Sequence, residues 1–122
     1  MKILLNSDIP IYKQISADFK ERIMNGTISA GEYLPSIRGL AKELKISVIT
    51  TMKAYEELCS EGLVNAVQGK GYIVNAQDTG MIKEQYMRLL EQHLQDALDC
   101  ARLAGLSVDE VCEVLKTLGS IE

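Results

Sequence analysis

The side chains in this chain that could do chemistry gather between Leu34 and Val74, and the chemistry they suit is recognition of phosphates and base edges. Arg38 carries a planar fork of N–H donors that fits either a phosphate or a guanine edge. Ser47 and Thr50 place hydroxyls in what reads as the first turn of a helix, where backbone N–H groups favour anions. Thr50 also offers a methyl group to thymine. Lys53 follows as a phosphate contact, and Gly69-Lys70-Gly71 joins a cation to two residues that let backbone approach a groove closely. Each has a plainer reading: Arg38 and Lys53 as solvated charges, Ser47 as a helix cap alone, Gly69-Lys70-Gly71 as an ordinary hairpin turn. No Ser/His/Asp, Cys/His or paired-carboxylate set stands at a motif spacing, so no catalytic residue is expected. His93 has only Glu91 and Asp96 near it in sequence, too few ligands for a metal, and neither metal nor cofactor is expected.

These residues need elements to hold them. Ser36 can cap a short helix with Arg38 in its first turn and Leu40, Ala41 and Leu44 on its apolar side. After a break at Lys45-Ile46, Ser47 can cap a second helix, in which Met52, Tyr55 and Leu58 recur at intervals of three and pack inward. Gly62 ends it. Two short helices joined by a tight turn form a helix-turn-helix, whose second helix enters the DNA major groove. Strands are expected at about 63–67 and 71–75, with Gln68-Gly69-Lys70 as the tip between them. Upstream, a helix opening at Asp8 or Pro10 carries Tyr12, Ile15, Phe19 and Ile23 and stops at Asn25-Gly26. A turn about Ala30-Gly31 leads to a short strand near Tyr33. Tyr55 and Leu58 belong to the core, and Tyr72 packs beneath the wing.

The ordered set Pro35, Ser36, Arg38, Leu40, Ala41, Ser47, Thr50, Ala54, Tyr55, Leu58, Gly62, Leu63, Gly69, Gly71, Tyr72 and Val74 resembles the GntR family of bacterial transcription regulators. Upstream, Pro10-Ile11-Tyr12, Gln14-Ile15 and Gly31 fit the same pattern, so the resemblance covers about residues 8–75. It implies a winged helix-turn-helix in which Ser36, Arg38, Ser47, Val48, Ile49, Thr50, Lys53, Gly69, Lys70 and Gly71 meet DNA. The chain departs from the pattern where many relatives carry Arg or Asn and it has Val48, Ile49 and Met52. Val48 and Ile49 can touch thymine methyls but cannot make bidentate guanine contacts, so shape and apolar contact carry more of the readout.

Beyond Asn75-Ala76-Gln77-Asp78 the composition shifts, which divides the chain into 1–76, a DNA-binding domain, and 77–122, a helical tail. Ile82, Tyr86, Leu89, Leu90, His93, Leu94 and Ala97 line one stripe of a long helix ending before Gly105. Ser107 and Glu110 have capping-box spacing for a final helix carrying Val111, Leu115 and Leu118. Two such helices cannot enclose a core alone, and a second copy of the chain is the simplest partner. The short tail resembles the YtrA-like subgroup of the family, which implies a homodimer held through the C-terminal helices and, commonly, control of transport-related operons.

Composition sets bounds on these readings. The 122 residues carry a net charge of −4, yet residues 1–75 sum to +1 and residues 76–122 to −5, so basic charge collects on the DNA-reading half. No apolar run is long enough for a membrane span and the Met-Lys start lacks a signal-peptide core, which points to the cytoplasm. Cys59, Cys100 and Cys112 are odd in number and far apart. They fit buried small hydrophobes in a reducing compartment better than a disulfide or zinc site.

The expected fold is mainly α with a small β-hairpin. The expected function is sequence-specific transcription regulation, as a repressor on a palindromic operator in double-stranded DNA. An effector of unspecified chemistry would act by changing the angle between two reading heads. The rival reading is a winged helix that docks a protein instead of DNA.

Overall fold

The computed structural model describes residues 1–120, which form five helices and one hairpin. Helix α1 (Ile11–Met24) opens after Pro10, whose φ of −54° suits a helix start, and residues 5–9 are turn and bend, so the helix does not begin at Asp8. Its buried positions Ile15, Ser16, Phe19 and Ile23 recur at helical spacing. Gly26 follows with φ +82°, a conformation open to glycine at little cost. Helix α2 (Ile37–Leu44) is capped by the Ser36 hydroxyl, which accepts from Gly39 N–H at 3.0 Å. A Cβ at Gly39 would stand 2.7 Å from that oxygen, so glycine here protects the cap. Helix α3 (Val48–Ser60) is capped in the same way by Ser47, which accepts from Thr50 N–H at 3.0 Å.

Strands β1 (Val64–Val67) and β2 (Gly71–Val74) pair antiparallel, with Val64 opposite Val74 and Val67 opposite Gly71. Residues 31–34 run along the other edge of β2. Gly31 and Leu34 donate to the carbonyls of Val74 and Tyr72, Val74 donates to Glu32, and Tyr33 bridges to Ile73. The edge of the wing is thereby covered.

Helices α1, α2 and α3 and the hairpin close on one apolar core. At its centre Tyr55 is fully buried, with Phe19 and Tyr72 edge-to-face at ring-centroid distances of 5.7 and 5.0 Å. Tyr72 does lie under the wing, as a half-buried ring. The Tyr55 hydroxyl donates to the Pro35 carbonyl at 2.7 Å, and burial pushes its ionisation well above the usual phenol range. On the outer side of the α1–α3 contact, Glu57 accepts from Ser16 Oγ at 2.7 Å and from Lys13 Nζ at 3.1 Å. Those two bonds hold the Glu57 carboxyl below its ordinary range.

The chain divides into two compact units, Met1–Asp78 and a second beginning at Thr79. The second unit contains α4 (Thr79–Ala104) and α5 (Val108–Gly119). Ser107 and Glu110 form the reciprocal capping box, with N–H to side-chain distances of 3.2 and 3.1 Å. Among its described residues Ala101 alone is buried. Cys100 and Cys112 are therefore exposed, against the expectation of buried thiols, because within its own unit α4 has only α5 to cover it. Cys59, on α3, is half-buried, and that burial raises its thiol pKa.

Candidate nucleic-acid interface

The helix-turn-helix places the expected contact residues at the starts of two helices. Ser36 and Arg38 are exposed at the first turn of α2. The Tyr55–Pro35 bond fixes that start against the middle of α3. Ser47, Val48, Ile49 and Thr50 form the opening turn of α3, Thr50 half-buried and the other three exposed. Between the helices Lys45 adopts the left-handed conformation at φ 58°, the only non-glycine to do so among the described residues. Its N–H reaches back to the Lys42 carbonyl at 3.3 Å, closing α2 within the tight turn.

Two details differ from the sequence reading. Met52 is not inward but 40% exposed, one turn beyond Val48 and Ile49 on the same helix face. The inward positions of α3 are Thr51, Ala54, Tyr55 and Leu58. Lys53 is exposed as expected, but its ammonium lies 4.2 Å from the centroid of the Tyr12 ring on α1. That cation–π contact, worth about 0.5–1 kcal/mol at an exposed site, steers a side chain that would otherwise roam.

The cations fall into two groups. Lys13 and Arg22 pair with Glu57 and Asp18 at 3.1 and 3.0 Å, and Lys20 lies 3.6 Å from Glu61. Arg38, Lys42, Lys45 and Lys70 have no ion-pair partner among the described residues. Lys42 and Lys45 are additions to the expected set; the excess of basic over acidic residues from 35 to 54 was the signal for them. At the wing, Gly69 and Gly71 have φ of +77° and +114°, and Lys70 is exposed between them. A side chain at Gly69 would be strained although nothing crowds it.

In the second unit Tyr86, Leu89, Leu90 and His93 share one open apolar depression on α4 with Lys83 and Met87. Ala97 and Val111 face a cleft between α4 and α5. Leu94, Leu115 and Leu118 are exposed, and Ile82 is half-buried. Among the described residues no cluster of His, Cys, Asp or Glu could hold a metal ion, and no helix is long and apolar enough to cross a membrane.

A winged helix with unpaired cations at its helix-turn-helix defines a class, and comparison with known proteins gives the family. Residues 11–74 match the model for bacterial regulatory proteins of the gntR family. The HTH-type transcriptional repressor YtrA of Bacillus subtilis is 30% identical over 93% of this chain and 88% of its own length. A structure of YtrA from Sulfolobus acidocaldarius, a GntR-family transcription factor, is 34% identical and superposes with a TM-score of 0.60, covering 98% of this chain and 97% of that one. AraR(DBD) in complex with operator ORX1 is 28% identical with a TM-score of 0.55, over 61% of this chain and 95% of that one. The chain belongs to the gntR family, and it is a DNA-binding transcription regulator.

Proposed function

We propose that the protein acts as a homodimeric repressor, each winged helix reading one half of a palindromic operator. The observation that carries this is the set of unpaired cations, Arg38, Lys42, Lys45 and Lys70, on the helix-turn-helix and wing tip, while the basic side chains of α1 are paired. Uncompensated charge of this kind is what phosphates neutralise. Helix α3 would enter the major groove, with Ser47 and Thr50 at the phosphates and Lys53 steered by Tyr12. Gly69-Lys70-Gly71 would reach the flanking minor groove.

The homodimer rests on the second unit. Thirteen large apolar side chains between Met81 and Leu118 stand exposed there, far more than a monomeric surface leaves open. A second copy presents the same stripe, Tyr86, Leu89, Leu90, His93 and Leu94 on α4 with Val111, Leu115 and Leu118 on α5, and a twofold axis would bury both. Twofold symmetry predicts half-sites about one helical turn apart, roughly 34 Å. Repression would follow from occlusion of polymerase in the cytoplasm. The similarity to a YtrA repressor over nearly the whole chain supports that sign of regulation. A small-molecule effector would act by changing the angle between the two heads.

The test is selection of bound sequences from a random DNA pool, with Arg38→Ala alongside. The parent is expected to enrich a palindrome. Arg38→Ala is expected to bind that site about 10- to 100-fold more weakly, the worth of one good forked contact. Failure of the folded parent to enrich any sequence, at low as well as moderate salt, would favour a protein-docking winged helix instead.

Lys45 gives an independent check, because its two roles oppose each other. A lysine in the left-handed region costs about 1 kcal/mol or more relative to glycine. Lys45→Gly is therefore expected to raise the denaturant midpoint while weakening operator binding and lowering the slope of log affinity against log salt. Unchanged affinity in the more stable variant would remove Lys45 from the interface.

A further inference from the structure

Resting on the DNA-binding reading above, we infer that the recognition helix identifies its half-site through pyrimidine C5-methyl groups, borne by thymine or by 5-methylcytosine, more than through hydrogen bonds to base edges. The exposed face at the start of α3 is Val48, Ile49 and Met52, at 38%, 77% and 40% exposure. They sit at i, i+1 and i+4, so they form one continuous apolar surface on the two turns that enter a major groove.

The polar groups nearby suit helix capping and phosphates, not base edges. Ser47 Oγ accepts from Thr50 N–H and donates to Thr50 Oγ1 at 2.7 Å. Thr51 is buried, and its hydroxyl donates to the Ser47 carbonyl at 3.2 Å. Lys53 is steered over Tyr12 and, as a point charge, suits a phosphate. No forked donor is left on this turn to grip guanine or adenine, while the unpaired Lys42 and Lys45 beside it suit phosphates.

In the major groove the feature of a base pair that an apolar surface can read is the C5-methyl of a pyrimidine. Because the methyl is read and not the O4 or N4 edge, the surface should accept 5-methylcytosine where it rejects cytosine. Cytosine methylation at such a position would then tighten binding.

The experiment uses the full chain and its selected operator. Each thymine of a half-site is replaced in turn by deoxyuridine, which removes the methyl and leaves every hydrogen-bonding group in place. At positions under α3 the parent is expected to bind about four-fold more weakly per methyl removed, the worth of one buried carbon. At the same positions 5-methylcytosine should bind about four-fold tighter than cytosine. Ile49→Ala, which alters only an exposed side chain, should bind the thymine and deoxyuridine sites nearly equally. Tight, sequence-specific binding that ignores the methyl at every position would overturn this inference and leave the regulator standing. Failure to select any sequence would overturn both.

Discussion

A chain ending at Asp78 is expected to fold, to stay monomeric, and to bind the full operator 10²- to 10⁴-fold more weakly than the whole protein. Folding follows from where the core lies. Every residue of the buried cluster, and every partly buried hydrophobic packed against it, falls between Ile3 and Val74, so the first unit has an apolar core of its own. The loss of affinity follows from valency. In a dimer the second head meets its half-site at an effective concentration set by the linkage, which multiplies affinity by that range without any new contact. A monomer keeps the single-head affinity and its phosphate contacts, so its binding to an isolated half-site should match that of one head. Sedimentation of both chains, with titrations on full and half operators, checks the prediction. A shortened chain that is still dimeric would move the dimer contact out of the helical tail.

Much of this arrangement is legible from the amino acids because its determinants are local. Ser36, Ser47 and the Ser107/Glu110 pair cap their helices through bonds spanning three residues, and Gly62, Gly69 and Gly105 reverse the chain with positive φ. Met52 is the instructive miss. Intervals of three in Met52, Tyr55 and Leu58 look like one face, but each step of three falls about 60° short of a full turn, so the stripe drifts. The true inward set, Thr51, Ala54, Tyr55 and Leu58, is linked by steps of three (51–54, 55–58) and of four (51–55, 54–58), which stay on one face. Cys100 and Cys112 were misread for another reason. An amphipathic pattern reports that a face is apolar, not that the same chain supplies its cover. The state of each cation was also hidden, since Lys13 meets Glu57 from 44 positions away and Lys53 meets Tyr12 on another helix. Left-handed Lys45 could not be anticipated, because glycine or asparagine is the usual choice there.

Tyr55 is the residue whose removal is expected to cost the DNA-binding unit most. Its fully buried ring touches α1 through Phe19 and the wing through Tyr72, and its hydroxyl holds the carbonyl just before α2. Tyr55→Ala removes all three links and leaves a cavity, and about 3–5 kcal/mol of stability should be lost. That is much of what a unit of this size possesses, so a large fraction would be unfolded at 37 °C and operator binding would fall with it. Tyr55→Phe keeps the ring and both edge-to-face contacts, and loses only the bond to Pro35, whose carbonyl is then left without that donor. Its expected cost is about 1–2 kcal/mol. Urea denaturation of both variants separates ring from hydroxyl. If recognition depends on how firmly α2 is held against α3, Tyr55→Phe should weaken operator binding by more than its unfolded fraction explains. Binding that tracks the folded fraction alone would make the hydroxyl a matter of stability and not of aim.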